Sequence, residues 1–209
     1  MPNVVWYFDF VSPYAYFGLH ALERLPKDIH LEYRPILFAG LLKHWGQKGP
    51  AEIAPKRKWT YRSCLWLARQ NQMPFRMPAA HPFNSLPFLR LAITAGNTFP
   101  AIQSIFQALW TTGMNPADPA LIERLANQLS VPLERLGAAR VKEELRDNTE
   151  RAVQSGVFGV PSLQIGDEIF WGSDAVDFAA AYLKDPDLLD EEMRHADTLP
   201  IGAVRPGSS

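Results

Sequence analysis

Between about residue 40 and about residue 155 strand signals almost vanish, while strands are legible on both sides, and this layout narrows the fold more than any other feature. Inside that stretch, "APKRKWTYRSCLWLARQNQ", "SLPFLRLAITAG", "AIQSIFQALWTTG", "DPALIERLANQL", "LERLGAARV" and "EELRDNTERAVQSG" read as helices punctuated by Pro, Gly and Asn. Ahead of it, "VVWYFDF" (4–10) is rich in β-branched and aromatic residues and reads as a buried strand. Pro13 suits a first helical turn, and Tyr14, Phe17, Leu22 and Leu25 offer an apolar stripe that ends at Pro26. "IHLEYRPI" (29–36) then alternates as a second strand, so the opening is β-α-β with parallel strands and a right-handed crossover.

After the helical block, "PSLQI", the turn "GDE" and "IFW" predict a hairpin over 161–171. "SDAVDFAAAYLKD" follows as a helix with Ser173 or Asp174 as N-cap and Lys184 in its last turn. The expectation is an α/β core made of residues 1–40 and 141–184, interrupted by an all-helical insertion over 41–140. A tail over 185–209 is mixed in character and ends in a loosely held "RPGSS".

With 47% hydrophobic residues in a chain of 209, there is apolar material for one substantial core or two small ones. The net charge is −1 and the 21 basic residues are scattered apart from "KRK" at 56–58, which argues against nucleic acid as a partner. No window approaches the ~18–20 apolar residues that span a bilayer, and no basic leader precedes an apolar run, so a soluble, cytoplasmic protein is expected without a membrane partner. The single Cys64 excludes an internal disulfide, a CxxC redox pair and a cysteine-based zinc cluster. Cys64 itself sits in an amphipathic helical pattern and reads as a small core residue. The histidines, His44 among them, show no HExxH-like spacing, and no metal is expected.

Three short stretches carry possible chemistry. In "DFVSPYAY", Ser12 precedes a proline at a strand-to-helix junction, which is a good N-cap; the same helix N-terminus also favours an anion, and the hydroxyl can donate to one, a thiolate included. In "GVFGVPS", Val160 and Pro161 open a strand that should be internal, where proline needs an edge, a bulge, a cis bond or simply a turn. In "FWGSD", Ser173 and Asp174 either cap a helix or, with free N–H groups, hold a carboxylate and an ammonium group.

Taken with "FNSLPFLR" (83–90), these stretches resemble the 2-hydroxychromene-2-carboxylate isomerases, relatives of kappa-class glutathione transferases and DsbA-like oxidoreductases, and the resemblance runs from Val4 to about Leu183. It implies a thioredoxin fold interrupted by helices, with glutathione as cofactor. Ser12 then matches the position where redox relatives carry a cysteine, so the thiol is borrowed from glutathione. Val160 and Pro161 match the segment that pairs with the glutathione backbone, and Trp171, Gly172, Ser173 and Asp174 match the segment for its γ-glutamyl end. Lys43, Asn84 and Ser85 match residues of an aromatic carboxylate's pocket, although Lys43 also reads as an ordinary surface lysine and Trp45 departs from the family pattern.

The activity implied is interconversion of 2-hydroxychromene-2-carboxylate and trans-o-hydroxybenzylidenepyruvate in aromatic-hydrocarbon breakdown, by a homodimer. A kappa-like transferase or peroxidase, and a non-catalytic thioredoxin-fold binding module, are the competing readings.

Overall fold

A computed structural model describes residues 1–203, so the expectation for "RPGSS" lies outside the described residues. β1 (Asn3–Phe8), α1 (Pro13–Ala21) and β2 (His30–Pro35) form the opening unit, with β1 and β2 parallel and Asn3 opposite His30. β3 (Ser162–Ile165) lies antiparallel on the other side of β1, β4 (Glu168–Trp171) pairs antiparallel with β3, and the strand order is β2-β1-β3-β4. α8 (Val176–Lys184) completes this α/β unit. Between β2 and β3 run α2 (Phe38–His44), α3 (Ala54–Gln70), α4 (Leu86–Thr94), α5 (Phe99–Trp110), α6 (Pro119–Gln128) and α7 (Ala139–Gln154). This is the expected thioredoxin-type fold interrupted by helices. α9 (Glu191–Asp197) lies in the tail, its N-terminus capped by Asp190 accepting from Met193 N at 2.9 Å.

The continuous apolar run of β1 follows from its central place. Successive side chains leave a strand on opposite faces, and here both faces are covered: Val4, Trp6 and Phe8 enter one cluster, Val5 and Tyr7 another with Ile36, Leu41 and Val160. The first cluster runs on through α1 into α4, α5 and α6. Trp6 stacks on Phe8 at 4.5 Å, and Phe106 of α5 lies 5.9 Å from Phe8 and 4.6 Å from Phe10. The aromatic core therefore welds the first strand to the helices.

Three expectations need correction. "LERLGAARV" is not a helix of its own: Leu133–Gly137 is one short 3-10 stretch, and the extended Ala138 ends it before α7 begins. α2 went unanticipated because "FAGLLKH" is short and carries a glycine, and its cap is tertiary: Leu37 N donates to Thr149 Oγ1 at 3.0 Å and Phe38 N to Asp9 Oδ2 at 2.9 Å. Neither Ser173 nor Asp174 caps α8, whose N-cap is Ala175 without a side-chain bond. The chain turns at Gly172, with φ of +110°, and this bend delays the helix by two residues.

Candidate active site

Ser12 does cap α1. Its backbone is extended, Pro13 takes the first helical position, and Oγ accepts from Ala15 N at 3.3 Å. The hydroxyl donates in turn to the Val160 carbonyl at 3.3 Å, across 148 residues of sequence. The Val160–Pro161 peptide is cis. Thus the first two sequence motifs meet through one hydroxyl, which is 8% exposed. Gly18 permits the approach, since a Cβ there would lie 3.0 Å from the Pro161 ring.

The third motif joins the same place. Gly172 N donates to the Pro161 carbonyl at 2.9 Å, which ties the "FWGSD" bend to the proline. Trp171 is 56% exposed and meets Phe158 edge-on at 5.1 Å; a Cβ at Gly159 would collide with its indole. Ser173 is half-buried and Asp174 exposed, and the Asp174 charge reaches Tyr14 of α1.

Tyr14 is half-buried, and burial is the main cause that raises its pKa. Its hydroxyl meets the side chains of Ser63 and Cys64 on α3. Cys64 is fully buried, as a core residue should be, and burial pushes its thiol up to about 12, partly offset by the hydrogen bond to Tyr14. Because only the thiolate reacts, alkylation of the native protein at neutral pH is expected to be roughly a thousandfold slower than that of an unfolded chain, given the ordinary value of 9.0. Timed maleimide labelling followed by mass measurement checks this; equal rates with and without denaturant would contradict it.

The substrate-side candidates are more dispersed. Lys43 lies exposed in the last turn of α2, next to Trp45, whose Nε1 donates to the Val157 carbonyl at 3.0 Å and so holds this end of α2 against the segment before Pro161. Asn84 is exposed, with Oδ1 accepting from Leu86 N at 3.1 Å at the entry to α4. Ser85 is 4% exposed and stands at the N-cap of α4 without a side-chain capping bond, near enough to Asp9 to lower that carboxyl's pKa.

Sequence reasoning passed over two features. Asp9, 1% exposed, accepts from Val11 N at 3.0 Å and Phe38 N at 2.9 Å. Desolvation raises it from 3.8 to about 6 against those hydrogen bonds, a gap worth about 3 kcal/mol. Since the folded chain holds that proton more tightly than the unfolded one, the carboxyl's contribution to stability falls as pH rises from near 4 to near 6 and is level above that. The signal was available: an acid within the apolar run "WYFDF" is either misplaced or held for a purpose.

His81 is the other. In the neutral ring Nε2–H donates to the Val11 carbonyl at 2.8 Å, while the Tyr61 hydroxyl lies 2.8 Å from Nδ1 and donates to the His81 backbone carbonyl at 2.9 Å. Burial lowers its pKa, which favours that neutral form. A cavity of about 500 Å³ opens beside it, lined by Arg57, Tyr61, Met77, Ala80, His81 and Pro82. The hydrogen bond to Val11 places the wall of this cavity next to the Ser12 loop.

The family model described as a DSBA-like thioredoxin domain matches residues 3–184. A 2-hydroxychromene-2-carboxylate isomerase of Pseudomonas putida is 30% identical over 183 residues, covering 82% of this chain and 89% of the relative. "Glutathione s-transferase kappa 2" of Caenorhabditis elegans is 27% identical over 213 residues, covering 89% and 95%. A solved 2-hydroxychromene-2-carboxylate isomerase superposes with a TM-score of 0.78 at 22% identity, over 95% of this chain and 100% of the other, a likeness of fold.

Proposed function

The chain belongs to the family of DsbA-like thioredoxin domains, in the group that includes 2-hydroxychromene-2-carboxylate isomerases and kappa-class glutathione transferases, and on that premise we propose that it is a glutathione-dependent cis–trans isomerase acting on an aromatic 2-hydroxychromene-2-carboxylate. The observation that carries the reading is the hydroxyl of Ser12 shared between the α1 N-terminus and the Val160 carbonyl.

The residues fit the cofactor. The chain's one thiol is buried and pushed up to about 12, so a nucleophilic sulfur has to come from outside. Gly172, with φ of +110°, turns the chain beside Pro161, and the absence of a Cβ lets the Asp174 carboxylate lie against this bend. Glutathione, when bound, would supply the nucleophilic thiolate for reversible covalent catalysis and would not be consumed.

The chain's own part is electrostatic and positional. The Ser12 hydroxyl, bonded to Val160 O at a long 3.3 Å, turns to donate to the sulfur, and the N-terminus of α1 favours the negative charge. Val160 and Pro161 hold the cofactor's backbone; Trp171, Gly172, Ser173 and Asp174 hold its γ-glutamyl end, with Asp174 opposite the ammonium group. Lys43 attracts the substrate carboxylate, Asn84 and Ser85 serve its oxygens, and the cavity beside His81 receives the aromatic ring. We extend the same reading to a homodimer in the cytoplasm, a reducing compartment that suits a chain with one free cysteine.

Titrating glutathione calorimetrically into the full chain should give a single site per chain, and adding the hydroxychromene carboxylate should give turnover that needs glutathione but does not deplete it. No heat of binding would remove the cofactor and favour a non-catalytic module. The likeness to a kappa transferase supports a second reading, in which the same thiolate is consumed in conjugation. Accumulating conjugate would select it.

A further inference from the structure

Three elements that carry candidate site residues converge on one side chain. The two oxygens of Asp9 accept from Val11 N at 3.0 Å, in the loop that presents Ser12, and from Phe38 N at 2.9 Å, at the start of the helix that carries Lys43, whose own N-cap residue makes no side-chain bond. The Ser85 hydroxyl, at the start of α4 and next to Asn84, lies close enough to lower the carboxyl's pKa. The Asp9 carbonyl also accepts from Ser12 N at 3.1 Å. The carboxylate itself has almost no access to water, since Asp9 is 1% exposed.

We propose that Asp9 is the positioning residue of the site, a buried carboxylate that holds the Ser12 loop and α2 in mutual register beside the start of α4, so that its protonation perturbs both contacts together. The functional consequence rests on the reading of Ser12 as the thiol's partner; the mechanical coupling does not. An ionised carboxylate only accepts, and so each oxygen satisfies one backbone donor; a protonated one carries a hydrogen of its own on one oxygen, which weakens that oxygen as an acceptor and competes with its N–H donor. Geometry thereby links the cofactor half of the site to the substrate half through a single proton.

No charged side chain acts on this carboxyl among the described residues: burial raises it, and the Phe38, Val11 and Ser85 donors lower it. The titratable groups on the elements around it are Tyr7 on β1, Tyr14, Tyr16 and His20 on α1, His30, Glu32, Tyr33 and Arg34 on β2, Lys43 and His44 at the far end of α2, His81 ahead of Ser85, and Arg90 on α4. His81 is the one that matters for a test, because it also touches Val11, through the carbonyl. It makes no such bond to Phe38, which separates the two titrations.

The test follows backbone amide resonances of the full wild-type chain through a pH titration, which needs no variant to fold. Val11 and Phe38 should move together with one midpoint near 6, and Ser85→Ala, which removes a donor to the charged form, should shift that midpoint upward. Asp9→Asn should abolish the shared transition, because an amide offers one acceptor oxygen where two N–H groups need one each; with the fold verified by circular dichroism, glutathione-dependent turnover should drop roughly ten- to a hundredfold. Separate midpoints for the two amides, movement of Val11 alone, or an unmoved midpoint in Ser85→Ala overturns the coupling. If the amides move together but calorimetry finds no glutathione binding at any pH, the coupling stands and the glutathione reading falls.

Discussion

Replacing Trp110 with alanine should remove about 4–5 kcal/mol of stability, which for a chain of this size lowers Tm by about 10–15 °C. Trp110 ends α5 with no exposed surface. Its ring stacks on Phe75 at 5.7 Å and meets the His81 ring at 5.4 Å, and its Nε1 donates to the Phe10 carbonyl at 3.0 Å. The alanine leaves a cavity where the indole was, worth about 3–5 kcal/mol for such truncations, and strands a buried carbonyl, worth about 1 kcal/mol or more. Trp110→Phe helps to separate the two contributions: it keeps a ring in place and loses the donor with only part of the volume, so about 1–3 kcal/mol is expected. Urea unfolding followed by circular dichroism measures both, and a loss below about 2 kcal/mol for the alanine variant would show that the core collapses into the gap. Because Phe10 lies between Asp9 and the Ser12 loop, this indole also buttresses the site from beneath.

The second large effect concerns Ser12→Ala. A hydrogen bond to a charged group is worth about 1.5–3 kcal/mol, so losing the donor should raise the pKa of bound glutathione by about 1–2. The thiolate fraction at neutral pH, and with it the isomerisation rate, then falls roughly 10- to 100-fold. Stability should fall by only about 1 kcal/mol, the usual value of an N-cap, because Pro13 still opens the helix. Ultraviolet titration of the bound thiol and a steady-state assay read these separately. An alanine variant with unchanged thiol pKa and unchanged rate would falsify the role given to Ser12, and a lost rate with an unchanged pKa would limit it to orientation.

Much of this was legible in the chain. The parallel opening and the terminal hairpin follow from local patterns of branched, aromatic and turn residues, and Ser12 as an N-cap follows from Ser-Pro at a strand's end. Where helices depend on distant partners, local reading fails. α2 is capped by Asp9 and Thr149, neither of them near it in sequence, and the start of α8 is set by the turn at Gly172 and not by the nearest polar side chain. His81 and Tyr61 gave no local sign, because their meaning lies in a hydrogen bond to Val11 from 70 residues away.

By itself, then, the sequence determined the order of the strands and of most helices, the buried character of β1, and the absence of any internal thiol pair, since each depends on residue type and near-neighbour spacing. Only the tertiary structure decided that the Ser12 hydroxyl faces the Val160 carbonyl and that Asp9 gathers Val11, Phe38 and Ser85. A hydrogen bond is short-ranged and directional. Which donors reach a buried acceptor depends on where packing brings distant segments of the chain, and no local pattern encodes that.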